Sequence, residues 1–346
     1  MKYIRRICAI VIGITFLLSG LLKILDPVGT GLIVTEYAKF LGLGFLIPGA
    51  RVHGVILSII EALTGLALIT GVLRKVSAWI TLVLVGGFTL ITLVLLVKNP
   101  SMDCGCFGEA VHLDHLQSFV KNLALLALAL IAFIPLGSLG RARAHSWVSF
   151  GITALAVIFA VIYSNTHIPV LDFTEYAPGA RLMAAFDEED EWDTSSPILS
   201  FRDALGEYQD SLAADGPVVV FSVYEPSDAP WERIHNQYQA VLETGAMPLL
   251  LVASYPLEID SFGIPVDMTV HYADYKTLIT LNRSNGGATY LYDGEIEAKW
   301  HSRDFPAHID GVLNADPIEV SSRFILSRRI RAGAFALSLL AVLVLV

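Results

Sequence analysis

Runs of about twenty apolar residues recur along this chain, and they restrict its fold more than any other feature. The first is Ile7 to Leu25, and comparable runs occupy roughly 53–73, 77–98, 119–138, 147–163 and 330–346. A helix of that length crosses the ~30 Å hydrocarbon core of a bilayer, and a helix satisfies its own backbone where no water can. Of the 346 residues, 54 % are hydrophobic and 16 % charged, and the mean hydropathy is +0.62, which places the chain outside the range of ordinary water-soluble domains. A basic start, Lys2, Arg5 and Arg6, also fits a signal peptide. No small-residue cleavage site follows, however, and Lys23, Asp26 and Pro27 end the run at bilayer length, so it is read as a first membrane helix. Six spans are expected.

Charge divides the chain. Residues 165–325 hold 27 of the 33 acids and 8 of the 23 bases, which leaves the remainder basic. So acidic a segment repels phosphates, which excludes nucleic acid as a partner. Its run Asp187-Glu188-Glu189-Asp190-Glu191 reads as a solvated loop. Lys2, Arg5, Arg6, Arg74, Lys75, Arg141 and Arg143 fall in loops that contain no acid, and the positive-inside rule assigns those loops to the cytoplasm. The expectation is a multi-pass protein of the cytoplasmic (inner) membrane, with its N-terminus in the cytoplasm and residues 165–325 in the periplasm. Arg328, Arg329 and Arg331 oppose this by preceding the last run on its outer side, where lipid headgroups would have to accommodate them. Residues 27–52 are apolar but broken by Gly and Pro, and read as a helix or turn lying in the interface over the bundle.

The stretch Asp103-Cys104-Gly105-Cys106-Phe107-Gly108-Glu109 holds two of the three cysteines, one residue apart, just beyond the third run. A disulfide between them closes a tight ring, for which Gly105 supplies the backbone freedom, and such a bond is labile. Three cysteines are too few for a disulfide scaffold, so the pair reads as chemistry, whereas Cys8 reads as a small core hydrophobe. Asp103 beside Cys104 would raise its thiol pKa, so a thiolate needs compensation from Lys98 or from the end of the fourth helix. Gly105 and Gly108 leave room for a partner's backbone. Within the second run, Glu61 is a carboxylate that costs about 2.5–3.5 kcal/mol to place in hydrocarbon, so it should face the bundle interior. Lys23 is its nearest candidate partner; the plainer alternative makes Glu61 a structural hydrogen-bond post and Lys23 a snorkelling end residue.

Phe16-Leu17-Leu18-Ser19-Gly20-Leu21-Leu22-Lys23-Ile24-Leu25-Asp26-Pro27, Glu61-Ala62-Leu63-Thr64-Gly65-Leu66-Ala67-Leu68, and Asp103-Cys104-Gly105-Cys106-Phe107-Gly108 followed by Lys121-Asn122-Leu123 together resemble the DoxX/MauE group of four-helix membrane proteins, over about residues 1–140. The resemblance implies a redox-associated membrane function, since MauE is associated with disulfide maturation of an amine dehydrogenase alongside a thioredoxin-like partner. It does not carry over methylamine as a substrate. The acidic appendage is similar instead to that of the longer DoxX-type proteins of Bacteroidetes.

Beyond the Asn165-Thr166-His167-Ile168-Pro169 linker, short β runs alternate with helical ones: Val218 to Val223, an amphipathic Trp231 to Leu242, Pro248 to Ala253, and a hairpin through Asp293-Gly294. That order resembles a thioredoxin-like fold. Yet Tyr224 to Trp231 contains no cysteine, and Gly286-Gly287 stand where such folds place a proline, so this segment cannot run dithiol chemistry itself.

The expected fold class is therefore an α-helical integral membrane protein, a four-helix bundle plus two flanking spans, with an inserted α/β thioredoxin-like soluble domain. Its parts are a bundle at 1–140, a fifth helix at 147–163, the acidic domain at 165–325 and a last helix at 330–346. The expected function is a membrane-embedded thiol–disulfide protein that exchanges or relays a disulfide with an extracytoplasmic thiol/disulfide partner, in protein maturation or electron transfer. Cys104, Cys106 and Glu61 would be catalytic, supported by Lys23, Asp103, Gly105 and Gly108. An alternative is a non-catalytic scaffold whose cysteine pair is structural. A third reading gathers Cys104, Cys106, His112 and His115 around zinc or copper, at a spacing unlike that of closed metal sites, and no metal is assigned. A transporter is disfavoured, because only Glu61 and Lys23 are ionisable within the spans. The lipid bilayer is the other partner. No cofactor pattern is evident, and a quinone is compatible with the setting but not shown by the sequence.

Overall fold

The structure, a computed structural model, describes residues 2–102, 104–134, 144–182 and 196–344. Two compact units form, one from Met1–Asn165 with Gly333–Val346, the other from Thr166–Ala332. Asp103, Arg141, Arg143 and the acidic run 187–191 lie outside the described residues.

The first unit is helical: α1 (Lys2–Leu25), α2 (Pro27–Phe40), α3 (Ala50–Thr70), α4 (Arg74–Lys98), a short strand β1 (Cys106–Glu109), α5 (His115–Phe133) and α6 (Ala144–Thr166). Among the described residues five helices are long and apolar enough to cross a membrane, at Tyr3–Leu25, Gly44–Thr70, Arg74–Lys98, His115–Phe133 and His145–Thr166. The sixth expected run is not one of them. It forms part of α10 (Pro317–Val344), a helix that carries Glu319, Arg323, Arg328, Arg329 and Arg331 before its apolar end.

Contact between α1 and α3 organises this unit, and small residues make it. A Cβ at Gly20 would sit 2.6 Å from the Ala62 nitrogen, and one at Gly65 would sit 2.5 Å from the Gly13 carbonyl oxygen. Without a hydrophobic force between helices in lipid, such backbone approach supplies the packing. It also brings Ser19 and Lys23, one turn apart on α1, against Glu61. At the other end of α1 the Arg6 guanidinium donates to the Leu68 and Ile69 carbonyls at 2.7 and 2.5 Å, and Arg5 donates to Ala132 at 2.9 Å, which satisfies the carbonyl ends of α3 and α5.

The broken segment 27–52 folds into α2 and a 3₁₀ turn, Gly44–Gly49. Asp26 caps α2 by accepting from Gly29 N at 2.9 Å, with Pro27 in the first turn, where its missing N–H costs nothing. Asn99, at φ +45°, ends α4 and turns the chain towards the cysteines.

The second unit is a separate α/β fold around a six-stranded mixed sheet. Its elements are β2 (Phe201–Arg202), β3 (Pro217–Val223), α7 (Trp231–Glu243), β4 (Met247–Val252), β5 (Val270–Ala273), α8 (Tyr275–Leu281), β6 (Gly287–Tyr292), β7 (Glu295–Trp300) and α9 (Ile309–Leu313), before α10. Strand order is β2-β5-β4-β3-β6-β7, with β3, β4 and β5 mutually parallel and the other pairings antiparallel. Val219, Phe221, Leu250 and Tyr290 from the sheet and Ile234, Tyr238 and Val241 from α7 form its core. Asp293 and Gly294, at φ +47° and +77°, make the two-residue hairpin turn that suits twisted strands. Lys299, fully enclosed on β7, pairs with Asp172 at 2.7 Å and so ties the segment that enters the unit to the sheet.

Gly65→Val is expected to destabilise the helical unit by about 1–3 kcal/mol, the usual cost of overpacking. Gly86→Ala, on α4, meets nothing within 4 Å and is expected to leave stability unchanged or slightly raised. Unfolding of the purified protein by SDS reads the difference.

Candidate functional site

A cavity of about 240 Å³ lies inside the helical unit, between α1, α2, α3, α4, α5 and the segment 104–107. Its walls are mostly apolar, and its polar wall is formed by residues that are far apart in sequence. Lys23, Glu61, Cys104, Gly105 and Cys106 all face it. Gly108, at φ +64°, lies behind the Lys23 backbone instead, 3.7 Å from its Cα to a Cβ built at the glycine.

Glu61 is 1 % exposed and its carboxylate receives the Lys23 ammonium at 2.8 and 2.9 Å. A buried pair of this kind is held by geometry: removing one partner leaves an uncompensated charge and costs about 3–5 kcal/mol. Ser19 extends the pair to the cysteines. Its hydroxyl is 2.8 Å from Glu61 Oε2 and 2.7 Å from the Cys106 carbonyl oxygen. Both are acceptors and a hydroxyl carries one proton, so the two compete for it.

The thiols are held from the other side by α2 and α5. The Tyr37 hydroxyl donates to the Cys104 carbonyl at 2.6 Å, and the Lys121 ammonium sits 4.7 Å over the Phe107 ring. Gly105 is at φ +60°, and a Cβ there would fall 2.5 Å from Ile33 Cγ2, so only glycine fits between the cysteines. The two sulfurs are not bonded to each other but lie 2.6 Å apart, within about 0.5 Å of disulfide bonding distance.

That contact divides the two thiols. In that contact either sulfur can carry the proton, and it lowers the Cys104 pKa to about 5; burial opposes this, while the Lys121 ammonium and the Tyr37 hydroxyl add to it. The same bond, then burial and the thiolate alongside, push Cys106 well above the ordinary thiol range. Of the two, Cys104 is the one inclined to ionise and Cys106 the one inclined to keep its proton. The cation that compensates is Lys121 on α5, not Lys98, which is exposed at the end of α4.

Asp103 lies outside the described residues, so the structure assigns it no position. His115 Nε2 is engaged with the Pro100 carbonyl at 2.9 Å, and among the described residues no three His, Cys, Asp or Glu side chains gather into a metal-binding group. In the sequence Ser19, Lys121 and Asn122 stood out only as carriers of the family resemblance, with no part in the site, and Tyr37 was missed. Ser19 could have been found from its one-turn spacing to Lys23. Tyr37 carried no signal, because its role depends on α2 folding back over the bundle.

For the reduced protein in a Cys8→Ala background, thiolate absorbance is expected to show one midpoint near pH 5. Between that pH and the ordinary thiol value near 9, the folded state has lost a proton that the unfolded chain retains, so stability rises with pH. Above 9 it falls, because the unfolded chain then loses both protons while Cys106 keeps its own. Chemical unfolding across this range, with Cys104→Ala/Cys106→Ala as the flat control, checks both slopes.

Residues 1–135, which include α1 to α5 and every wall of the cavity, match the family described as Methylamine utilisation protein MauE. Over 180 residues the chain is 28 % identical to Protein TlpB of Flavobacterium psychrophilum, and the match covers 50 % of this chain and 48 % of that protein. The chain thus spans about half the length of that relative. No solved structure matches. The part of the chain that builds the site is a MauE-like membrane segment.

Proposed function

We propose that this protein is a membrane-embedded thiol–disulfide exchanger that acts on an extracytoplasmic protein partner. The observation that carries the reading is the pair of sulfurs 2.6 Å apart, with the Cys104 pKa lowered by that contact and by Lys121. In the reducing direction the Cys104 thiolate attacks one sulfur of a partner disulfide, and the partner's other sulfur leaves as a thiolate. Cys106 then gives up its proton and attacks Cys104, which forms the Cys104–Cys106 bond and releases the partner as a dithiol. Run backwards, the same steps oxidise a partner. Glu61, Lys23 and Ser19 act as positioning residues by holding the Cys106 backbone. The base-rich loops and the redox chemistry of the compartment support placing the cysteines and the second unit outside the cytoplasm.

The second unit supports this reading as a thioredoxin-like docking module without thiols of its own. The succession β3, α7, β4, then the β6–β7 hairpin and α9, with β3 central, is the order such a fold requires. Where a dithiol would stand after β3, Asn285 closes the turn instead: its side-chain oxygen accepts from Tyr224 N and Glu225 N at 3.0 Å each, and its amide donates to Glu225 O at 2.7 Å.

One observation favours a structural pair in a scaffold protein: Cys104 is 3 % exposed. Trapping separates the two readings. Cys106→Ser is expected to accumulate a mixed disulfide between Cys104 and its partner, and Cys104→Ser to accumulate none. Glu61→Gln is expected to slow exchange by about tenfold, about 1.4 kcal/mol. Lys23→Met/Glu61→Gln, which removes the stranded ammonium, should restore stability without restoring the rate. Membrane-impermeant thiol reagent should label intact reduced cells. No captured mixed disulfide from either cysteine variant, with full function retained, would leave the scaffold reading in place.

A further inference from the structure

Exchange at Cys104 and Cys106 needs a route for two electrons, and this chain has no second dithiol to supply one. Its third cysteine, Cys8, is buried on α1 about 16 Å along the helix from Ser19. What adjoins the sulfurs is the cavity. At about 240 Å³ it exceeds the roughly 150 Å³ that suffices for a benzene ring. Ile33, Phe88 and Ile91 give it apolar faces. Polar groups line it from two parts of the bundle: the Lys23–Glu61 pair from α1 and α3, and Lys121 with Asn122 from α5. The Asn122 amide reaches the Phe88 carbonyl and the Thr92 hydroxyl only at 3.3 Å each, long bonds that leave it able to turn to a better acceptor. An acyl chain would fill the apolar faces and leave these groups against hydrocarbon, which costs free energy. A flat ring that carries carbonyl acceptors would satisfy both requirements.

We propose that this cavity takes the ring of a lipid-soluble quinone, which collects the electrons of the Cys104–Cys106 pair. The inference rests on the exchange reading above and names its electron carrier. Two thiols and one quinone give one disulfide and one quinol: the S–S bond forms, both S–H bonds are lost, and two electrons and two protons pass to the two ring oxygens. One proton is the one Cys106 retains. The other replaces, from water, the proton that Cys104 has already lost. The Lys121 and Lys23 ammoniums line this same cavity and would stabilise negative charge developing on the ring oxygens.

The test uses the full-length protein in lipid nanodiscs, reduced, freed of reductant and kept anoxic, with ubiquinone-1 as the probe. Expected are one quinol formed and two thiols lost per protein, saturation with quinone, and no reaction in Cys104→Ser or Cys106→Ser. Ile91→Trp, which fills the cavity from α4, is expected to raise the half-saturating quinone concentration at least tenfold. In parallel, mixed-disulfide capture with a disulfide-bonded peptide reports exchange alone. Capture without quinol formation overturns the quinone site and leaves the exchange reading standing. Failure of both overturns the two together. Quinol formation that never saturates and ignores Ile91→Trp also overturns the site, since the reaction then occurs in the lipid phase and the cavity holds an acyl chain only.

Discussion

The Lys23–Glu61 ion pair is the interaction on which the membrane unit depends. Either charge alone inside a bundle of apolar helices would be costly, so the two must meet, and they can meet only if α1 and α3 cross where they do. Glycines at 13, 20 and 65 make that crossing close enough. The rest of the site follows from it. Ser19 comes to lie between the carboxylate and the Cys106 carbonyl, and Lys23 contributes its backbone oxygen as acceptor for Thr30, 2.9 Å away, at the start of α2. A stabilising contact, a hydrogen-bond relay and the seating of the covering helix therefore share one pair of residues.

Much of the helical unit was legible because bilayer length and hydropathy are one-dimensional properties. The five spans fall near the positions the apolar runs give, and Lys23 and Glu61 meet because hydrocarbon leaves few options for lone charges. The last run was harder to read. A window of apolar residues at the end of the chain says nothing of where its helix begins, and α10 begins in polar sequence at Pro317. The site was legible only in part. Cys104, Cys106, Glu61 and Lys23 stand out by residue type, whereas Tyr37 and Lys121 act through tertiary placement that no spacing encodes. Of the two sources of compensation expected, Lys98 is near Cys104 along the chain but exposed at the end of α4, whereas the fourth spanning helix, α5, supplies Lys121.

In the second unit the central strands and the Asp293-Gly294 hairpin were visible in the sequence, since parallel buried strands read as continuous β-branched and leucine runs. The short edge strand β2 and the seven-residue α8 were not, because elements that short carry less than one full period of pattern. Asn285 was invisible for another reason. Sequence shows that the cysteines are missing after β3, but only the fold shows that a single amide side chain fills the space with three hydrogen bonds.

The competition for the Ser19 proton has a reciprocal side. If the charge on Glu61 alters how firmly the Cys106 carbonyl is held, then any shift of that carbonyl on forming the Cys104–Cys106 bond must alter the environment of Glu61 by the same free energy. If the proposed exchange runs, the bonding of two sulfurs at the end of the bundle is thereby linked to the hydrogen bonding between α1 and α3.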